Sequence, residues 1–144
     1  MKLKILTPLL LLTLFAGKAS FAQITPEDIT KKFFELYKKG NVDEAFDYIC
    51  ATNKSWENNR EGIDELIRKL KKTISLEGEY HGYDLLYKKA AGENYVLLTI
   101  LVRHESEPLT FRILFYKPAD KWKLKNFKYD NKMDEELQEA SKLH

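Results

Sequence analysis

The stretch Glu79-Tyr80-His81-Gly82-Tyr83-Asp84 holds the densest group of side chains able to move a proton or direct a hydrogen bond. Imidazole titrates near neutrality, so His81 could serve as a general base, with the Tyr83 phenol donating a hydrogen bond to a substrate oxygen. Strand alternation sets Glu79, His81 and Tyr83 on one face and Tyr80 and Asp84 on the other. Turned inward, the first face makes His81 the catalytic candidate. Turned outward, the stretch is an amphipathic strand entrance with a solvated histidine, which is the plainer reading.

Tyr37, Tyr48 and Trp56 form a second group. Aromatic faces hold apolar ligands while hydroxyl and indole tips orient them, so these three, with His81 and Tyr83, make the candidate ligand-binding set. Core packing explains Tyr37 equally well. Trp56 stands in the otherwise polar run Thr52–Asn59 and needs somewhere to bury its ring. Arg103 and Arg112 fall on successive strands, where they could grip a carboxylate, but pairing of Arg112 with Glu105 or Glu107 is the simpler expectation. Lys121, Lys123 and Lys125 alternate with Trp122 and Leu124. Basic and aromatic interleaving can mark single-stranded nucleic acid, yet strict alternation on a last strand is what a solvated, aggregation-resistant edge requires. No nucleic-acid partner is expected.

Metal chemistry lacks ligands. The chain has three histidines, one of them the terminal His144, and one cysteine, while a structural zinc site takes four Cys or His ligands. No glycine-rich phosphate loop, nucleophile elbow or His-Glu-x-x-His occurs. Neither metal nor cofactor is expected. Cys50 follows Ala45, Phe46 and Ile49 in a helical pattern and reads as a small buried hydrophobe; nucleophile and intermolecular bridge are the alternatives. Asn53-Lys54-Ser55 matches a glycosylation acceptor, relevant only to a eukaryotic source.

The elements that position these groups follow from periodicity. Thr25-Pro26-Glu27-Asp28 starts a helix whose apolar stripe is Ile29, Phe33, Leu36 and Tyr37, and Gly40 stops it. Asn41, with Glu44 three residues on, restarts a second helix with Val42, Ala45, Phe46 and Ile49 inside. From about Arg60, a third helix buries Ile63, Leu66, Ile67 and Leu70 and solvates Arg68, Lys69, Lys71 and Lys72. After Gly78 the period changes to strands at about 79–89, 95–104, 109–117 and 121–129, joined by short turns into an antiparallel meander. A short helix at about 134–142 ends the chain. The two middle strands are apolar on both faces, so the side away from the helices needs a cover, either a second copy or the last helix.

Residues 1–22 read as an export signal: Lys2 and Lys4, the apolar run Ile5–Leu14, then small residues Ser20 and Ala22 around a cut before Gln23. That leaves residues 23–144 as one domain. The run is short for a membrane span, no stop-transfer pattern follows, and no cysteine stands at the cut to carry a lipid. The product is expected to be periplasmic or secreted without a stable membrane anchor. The whole chain has a formal net charge of +2, but Lys2, Lys4 and Lys18 all fall in the signal. The remainder is therefore slightly acidic, and no general attraction to nucleic acid or acidic membranes follows.

The front helix Glu27–Lys39, the turn Lys39-Gly40-Asn41-Val42-Asp43-Glu44-Ala45 and the strand Lys121-Trp122-Lys123-Leu124 carry a resemblance. In these motifs, and in the order of its elements, the chain resembles the nuclear transport factor 2-like (cystatin-like cone) superfamily, and within it small exported bacterial members of unassigned role. The resemblance covers essentially all of residues 23–144. It implies an α+β fold in which N-terminal helices pack on a curved four-stranded antiparallel meander shaped as a cone. That superfamily holds isomerases, cyclases, dehydratases and pure binding modules, so fold does not select function. The acids and tyrosines do not match the ketosteroid isomerase branch residue by residue, and the Gln-x-Val-x-Gly hairpin of cystatin inhibitors is absent. The leading expectation is an exported, non-enzymatic binding module that uses a cone pocket or sheet face for a small apolar ligand or an exported protein partner, with a homodimer through the outer sheet face. The alternatives are a pocket enzyme of isomerase or dehydratase type working by proton transfer, and an interaction or inhibitor module without a pocket.

Overall fold

The structure, a computed structural model, describes residues 22–142. The expected export signal lies, except for Ala22, outside the described residues. Helix α1 (Pro26–Lys38) opens on a reciprocal cap: the Asp28 N–H donates to the Thr25 hydroxyl at 3.1 Å, and the Thr25 N–H donates to the Asp28 carboxylate at 2.9 Å. The Thr25 N–H and the Thr25 hydroxyl, which both donate to the Asp28 carboxylate, hold that carboxyl below its ordinary range, the backbone hydrogen bond contributing most. Gly40, at φ +78°, takes the left-handed turn that ends α1 and lets α2 (Val42–Cys50) start two residues later. Asn41 is the N-cap of α2, as expected, but its side chain makes no cap hydrogen bond. Its side chain donates instead to Glu44 at 3.3 Å, and its carbonyl accepts the Ala45 N–H at 2.9 Å.

The polar run after α2 is a 3-10 helix (Lys54–Asn59) leading directly into α3 (Arg60–Glu77), whose buried stripe is Ile63, Ile67 and Leu70. Four strands follow as an antiparallel meander in the order β1 (Tyr80–Ala90), β2 (Tyr95–His104), β3 (Leu109–Tyr116) and β4 (Lys123–Asp130), and α4 (Met133–Ser141) closes the chain. This is the expected α+β class: N-terminal helices, a four-stranded antiparallel meander and a short C-terminal helix.

Burial alternates as the sequence requires. Val96, Leu98, Ile100, Val102 and His104 of β2, with Leu109, Phe111, Ile113 and Phe115 of β3, face the helices. Fully buried Phe33 and Phe46 of α1 and α2, with Phe34 2% exposed, meet Phe111 and Phe127 across that face. The space between helices and sheet is therefore filled with aromatic rings.

The outer face carries Tyr95, Leu97, Leu101 and Leu114, half-buried, with Tyr87 and Tyr116 exposed. Its far end is tied to α4, where Arg112 pairs with Asp130 and Glu136. These acids, and not Glu105 or Glu107, are the Arg112 partners. Arg103 is bound separately to Asp84 at 3.1 Å. Arg103 stands four residues along β2 from the Arg112 partner Thr99, ~13 Å at strand rise, so the two arginines do not form a joint carboxylate grip.

The sheet has two edges, and each is blunted differently. Along β1 the register slips between Tyr80 and Gly82 and again between Leu85 and Tyr87. On the β4 side, the end of α2 supplies the missing partner. The Leu124 N–H donates to the Thr52 hydroxyl at 2.9 Å, the Asn53 side-chain amide donates to the Leu124 carbonyl at 2.8 Å, and the Thr52 hydroxyl donates to the Ile49 carbonyl at 2.6 Å. Asn53 is thus committed to the fold, and its glycosylation-like triplet has a structural use. Thr52→Val keeps the shape but strands the N–H of fully buried Leu124. Its expected cost is about 1–3 kcal/mol, read as a lower urea midpoint together with faster hydrogen exchange at Leu124. Unchanged exchange there would show that the edge does not rely on Thr52.

Candidate functional site

The first strand does not place His81 and Tyr83 together. Gly82 adopts φ +134°, a backbone conformation that side-chain-bearing residues rarely take, so glycine suits the position where the strand bulges. The extra residue shifts the alternation: Tyr80 pairs with His104 and Tyr83 with Val102, both on the helix side, while His81 is left unpaired and exposed. Tyr83 stacks on Phe34 with ring centroids 4.1 Å apart and belongs to the core edge. His81 pairs with Glu105 at the surface and lines neither cavity described below. A strand-interior glycine was the available signal for this bulge.

The other aromatic candidates also separate. Trp56, on the 3-10 helix, packs half-buried against the core and lines neither cavity. Tyr37 and Tyr48 come to lie at opposite ends of α1, in two different cavities.

The larger is a groove of about 780 Å³ at the N-terminal end of α1, lined by Ile24, Ile29, Tyr48, Ala51, Trp122 and the Asp120–Lys123 turn, with Ala22 and Gln23 along one side. It exists because Thr52 and Asn53 pin the end of α2 to β4, which sets Tyr48 beside Trp122. The strand starts at Lys123, later than expected, so Trp122 belongs to the preceding turn and Lys121 and Lys123 stand at the groove. The Lys117 ammonium lies over the Trp122 ring, 5.2 Å from its centroid. Burial, followed by the nearby Asp28 and Glu35 charges, raises the Tyr48 phenol above its ordinary value. It therefore stays a neutral hydrogen-bond donor. Trp122 is the functional candidate that sequence alternation misassigned, because it was counted within the strand.

The smaller cavity, about 320 Å³, lies at the C-terminal end of α1, between Tyr37, Lys38, Gly40, Val42, Lys71, Ile74, Ser75, Tyr80 and His104. Tyr37 and His104, 3% and 7% exposed, are joined at 3.0 Å between Oη and Nε2, and His104 Nδ1 lies 2.9 Å from the Gly78 carbonyl. A carbonyl only accepts, so Nδ1 carries the proton, Nε2 is the acceptor and the Tyr37 hydroxyl donates to it. Burial, with Tyr80 and Tyr129 adding to it, pushes the Tyr37 phenol far above its usual range; burial also pushes Tyr80 up to about 12. No sequence pattern linked residues 37 and 104, which lie 67 positions apart.

Among the described residues, no three His, Cys, Asp or Glu side chains converge as a metal-binding group, and no helix is long and apolar enough to cross a membrane. No known protein family, curated protein or solved structure matches the chain.

Cys50 is a buried free thiol, and burial pushes it up to about 11. Groups whose folded values are raised stabilise the fold fully below their unfolded values, and that contribution is lost as pH rises toward the folded ones. With unfolded values of about 8.5 for cysteine and about 10 for tyrosine, stability is expected to fall first from Cys50 and then from Tyr37, Tyr48, Tyr80 and Tyr83. Urea midpoints measured between about pH 8 and pH 11 should decline in two stages, and Cys50→Ala should flatten the first. A flat profile to pH 11 in the unmodified protein would contradict these burials.

Proposed function

We propose that this chain is an exported, non-enzymatic binding module of the nuclear transport factor 2-like kind, and that the groove between α1, α2 and the β3–β4 turn takes a small apolar ligand. The observation that carries this reading is the groove itself: about 780 Å³, walled by Ile24, Ile29, Tyr48, Ala51 and Trp122. Its size falls within that of ligand sites, and it offers aromatic and aliphatic wall beside polar groups able to orient a ligand, the Tyr48 hydroxyl among them, with Gln23, Thr52, Asp120, Lys121 and Lys123 at its rim. Helices first and a four-stranded meander after them is the order that the resemblance implies. The filled interior favours a peripheral groove over a cone pocket as the binding place. The isomerase or dehydratase alternative has less support, since His81, its base candidate, is exposed and paired with Glu105.

The chain has two tryptophans, so a Trp56→Phe variant reports on Trp122 alone. Titration of that variant with N-phenyl-1-naphthylamine, a neutral apolar probe, should give saturable energy transfer from Trp122 at one probe per chain. Tyr48→Ala should weaken binding roughly tenfold, about 1.4 kcal/mol. Transfer that never saturates, or that is indifferent to Tyr48→Ala, would rule the groove out as the site.

A second reading concerns the outer sheet face, where exposed Tyr87 and Tyr116 border half-buried Tyr95, Leu97, Leu101 and Leu114. The apolar patch of Tyr87, Tyr95, Leu97, Leu114 and Tyr116, bordered by the Thr99–Arg112 pair, supports a homodimer or an exported protein partner. Sedimentation velocity should show a dimer that Leu97→Lys converts to monomer. A monomer at all concentrations would remove the second copy as the cover.

A further inference from the structure

We propose that the cavity at the C-terminal end of α1 is a second, chemically different binding site, for a small organic acid that also carries a hydroxyl group. The inference is independent of the apolar groove, because the two cavities share no lining residue.

The polar inventory defines the ligand. His104 is locked by Gly78, so its free ring nitrogen can only accept, and the Tyr37 proton is committed to it. The Tyr37 oxygen keeps acceptor capacity, and no other side chain among the described residues donates to it. The Tyr80 hydroxyl has no hydrogen-bond partner among the described residues and lines the same cavity. A bound hydroxyl donating to Tyr37 completes this chain: ligand to Tyr37, Tyr37 to His104, His104 to Gly78. A buried Tyr–His pair in an otherwise aromatic core is expensive to desolvate, and the same space would be filled more cheaply by hydrocarbon. Aligning an acceptor for a ligand accounts for its presence.

Charge defines the rest. Lys38 and Lys71 both line the cavity, and the one acid paired with either is Asp43, bound to Lys71. Lys38 has no ion-pair partner among the described residues, which leaves a cation for a carboxylate. Val42 and Ile74 supply apolar wall between the hydroxyl and ammonium ends. At about 320 Å³ the space equals that of roughly ten waters, enough for one substituted ring.

The probe is 4-hydroxybenzoate, titrated into the domain while the His104 ring nitrogens are followed by NMR, with benzoate and 4-hydroxybenzyl alcohol as the analogues lacking the hydroxyl donor and the charge. The expected result is a saturable shift of the His104 signals with 4-hydroxybenzoate, at least about fivefold weaker binding of each analogue, and no effect of Tyr48→Ala. Lys38→Gln, an exposed substitution that spares the core, should lower 4-hydroxybenzoate affinity by about three- to tenfold and leave the alcohol unchanged. Tyr80→Phe should weaken both. Absence of a His104 shift at about 10 mM ligand would overturn the site, and equal binding of benzoate would overturn the hydroxyl contact. Indifference to Lys38→Gln would overturn the carboxylate contact, and loss of the signal in Tyr48→Ala would move the ligand to the apolar groove.

Discussion

The packing of Phe33 is the constraint on which the other elements depend. Its ring meets Phe34, Tyr37, Phe46, Phe111 and Phe127 at centroid distances of 5.2 to 6.4 Å, so one side chain of α1 touches α2, β3 and β4 at once. Edge-to-face and tilted ring pairs are directional as well as apolar, so this cluster fixes the rotation of α1 as well as its depth. A one-residue rotation of α1 would withdraw Phe33 and present Lys32 or Phe34 in its place. Because the rings fill the space above the sheet, open volume survives only beyond the two ends of the cluster. That is where both cavities lie, one past Ile29 and the other past Tyr37.

Each end is then finished by a polar tie from a loop to a strand. Thr52 and Asn53 hold the backbone of Leu124, and Gly78 holds the ring of His104. The ties differ from the many surface ion pairs, such as Lys32 with Glu35 or Arg68 with Glu65, whose exposed partners contribute little to stability. Leu124 and His104 are buried, and a buried donor or acceptor has no water to fall back on, so its partner is specified by position. Aromatic packing thus settles where the helices sit, and a few satisfied polar groups settle the shape of the rims.

Local signals in the chain were sufficient for the elements and insufficient for the sites, for physical reasons that particular residues show. Thr25-Pro26-Glu27-Asp28 and Gly40 act through neighbours within a turn, and alternation in Val96–Val102 reflects burial on one face; both are visible without the fold. Asn41 holds the cap position that its residue type fits, but its side chain turns to Glu44 and leaves the first-turn N–H groups alone. His81 is solvated, as the plainer reading has it, but it does not share a face with Tyr83, because one inserted residue inverts every later side chain in a strand, and Gly82 is the mark of it. The Tyr37–His104 bond and the groove shared by Tyr48 and Trp122 bring together residues far apart in the chain, so no periodicity records them. Arg112 likewise passed over Glu105 and Glu107, near in sequence, for Asp130 and Glu136, near in space.

The two faces of the sheet answer to different demands. Inner residues such as Leu98, Ile100 and Phe111 are fully buried by helices, and their apolarity is explained by folding alone. Tyr87 and Tyr116 on the outer face are 52% and 42% exposed, and α4 reaches only the end of that face near Arg112. Folding gives no reason for aromatic residues there, since lysines of the kind found along β4 would keep an uncovered face in water at less risk of association. The contrast is between exposed Lys125 and Lys128 on the last strand and Tyr95, Leu97 and Leu114 on the middle ones, and it is on this apolar patch, bounded by Thr99 and Arg112, that the proposal of a second surface rests.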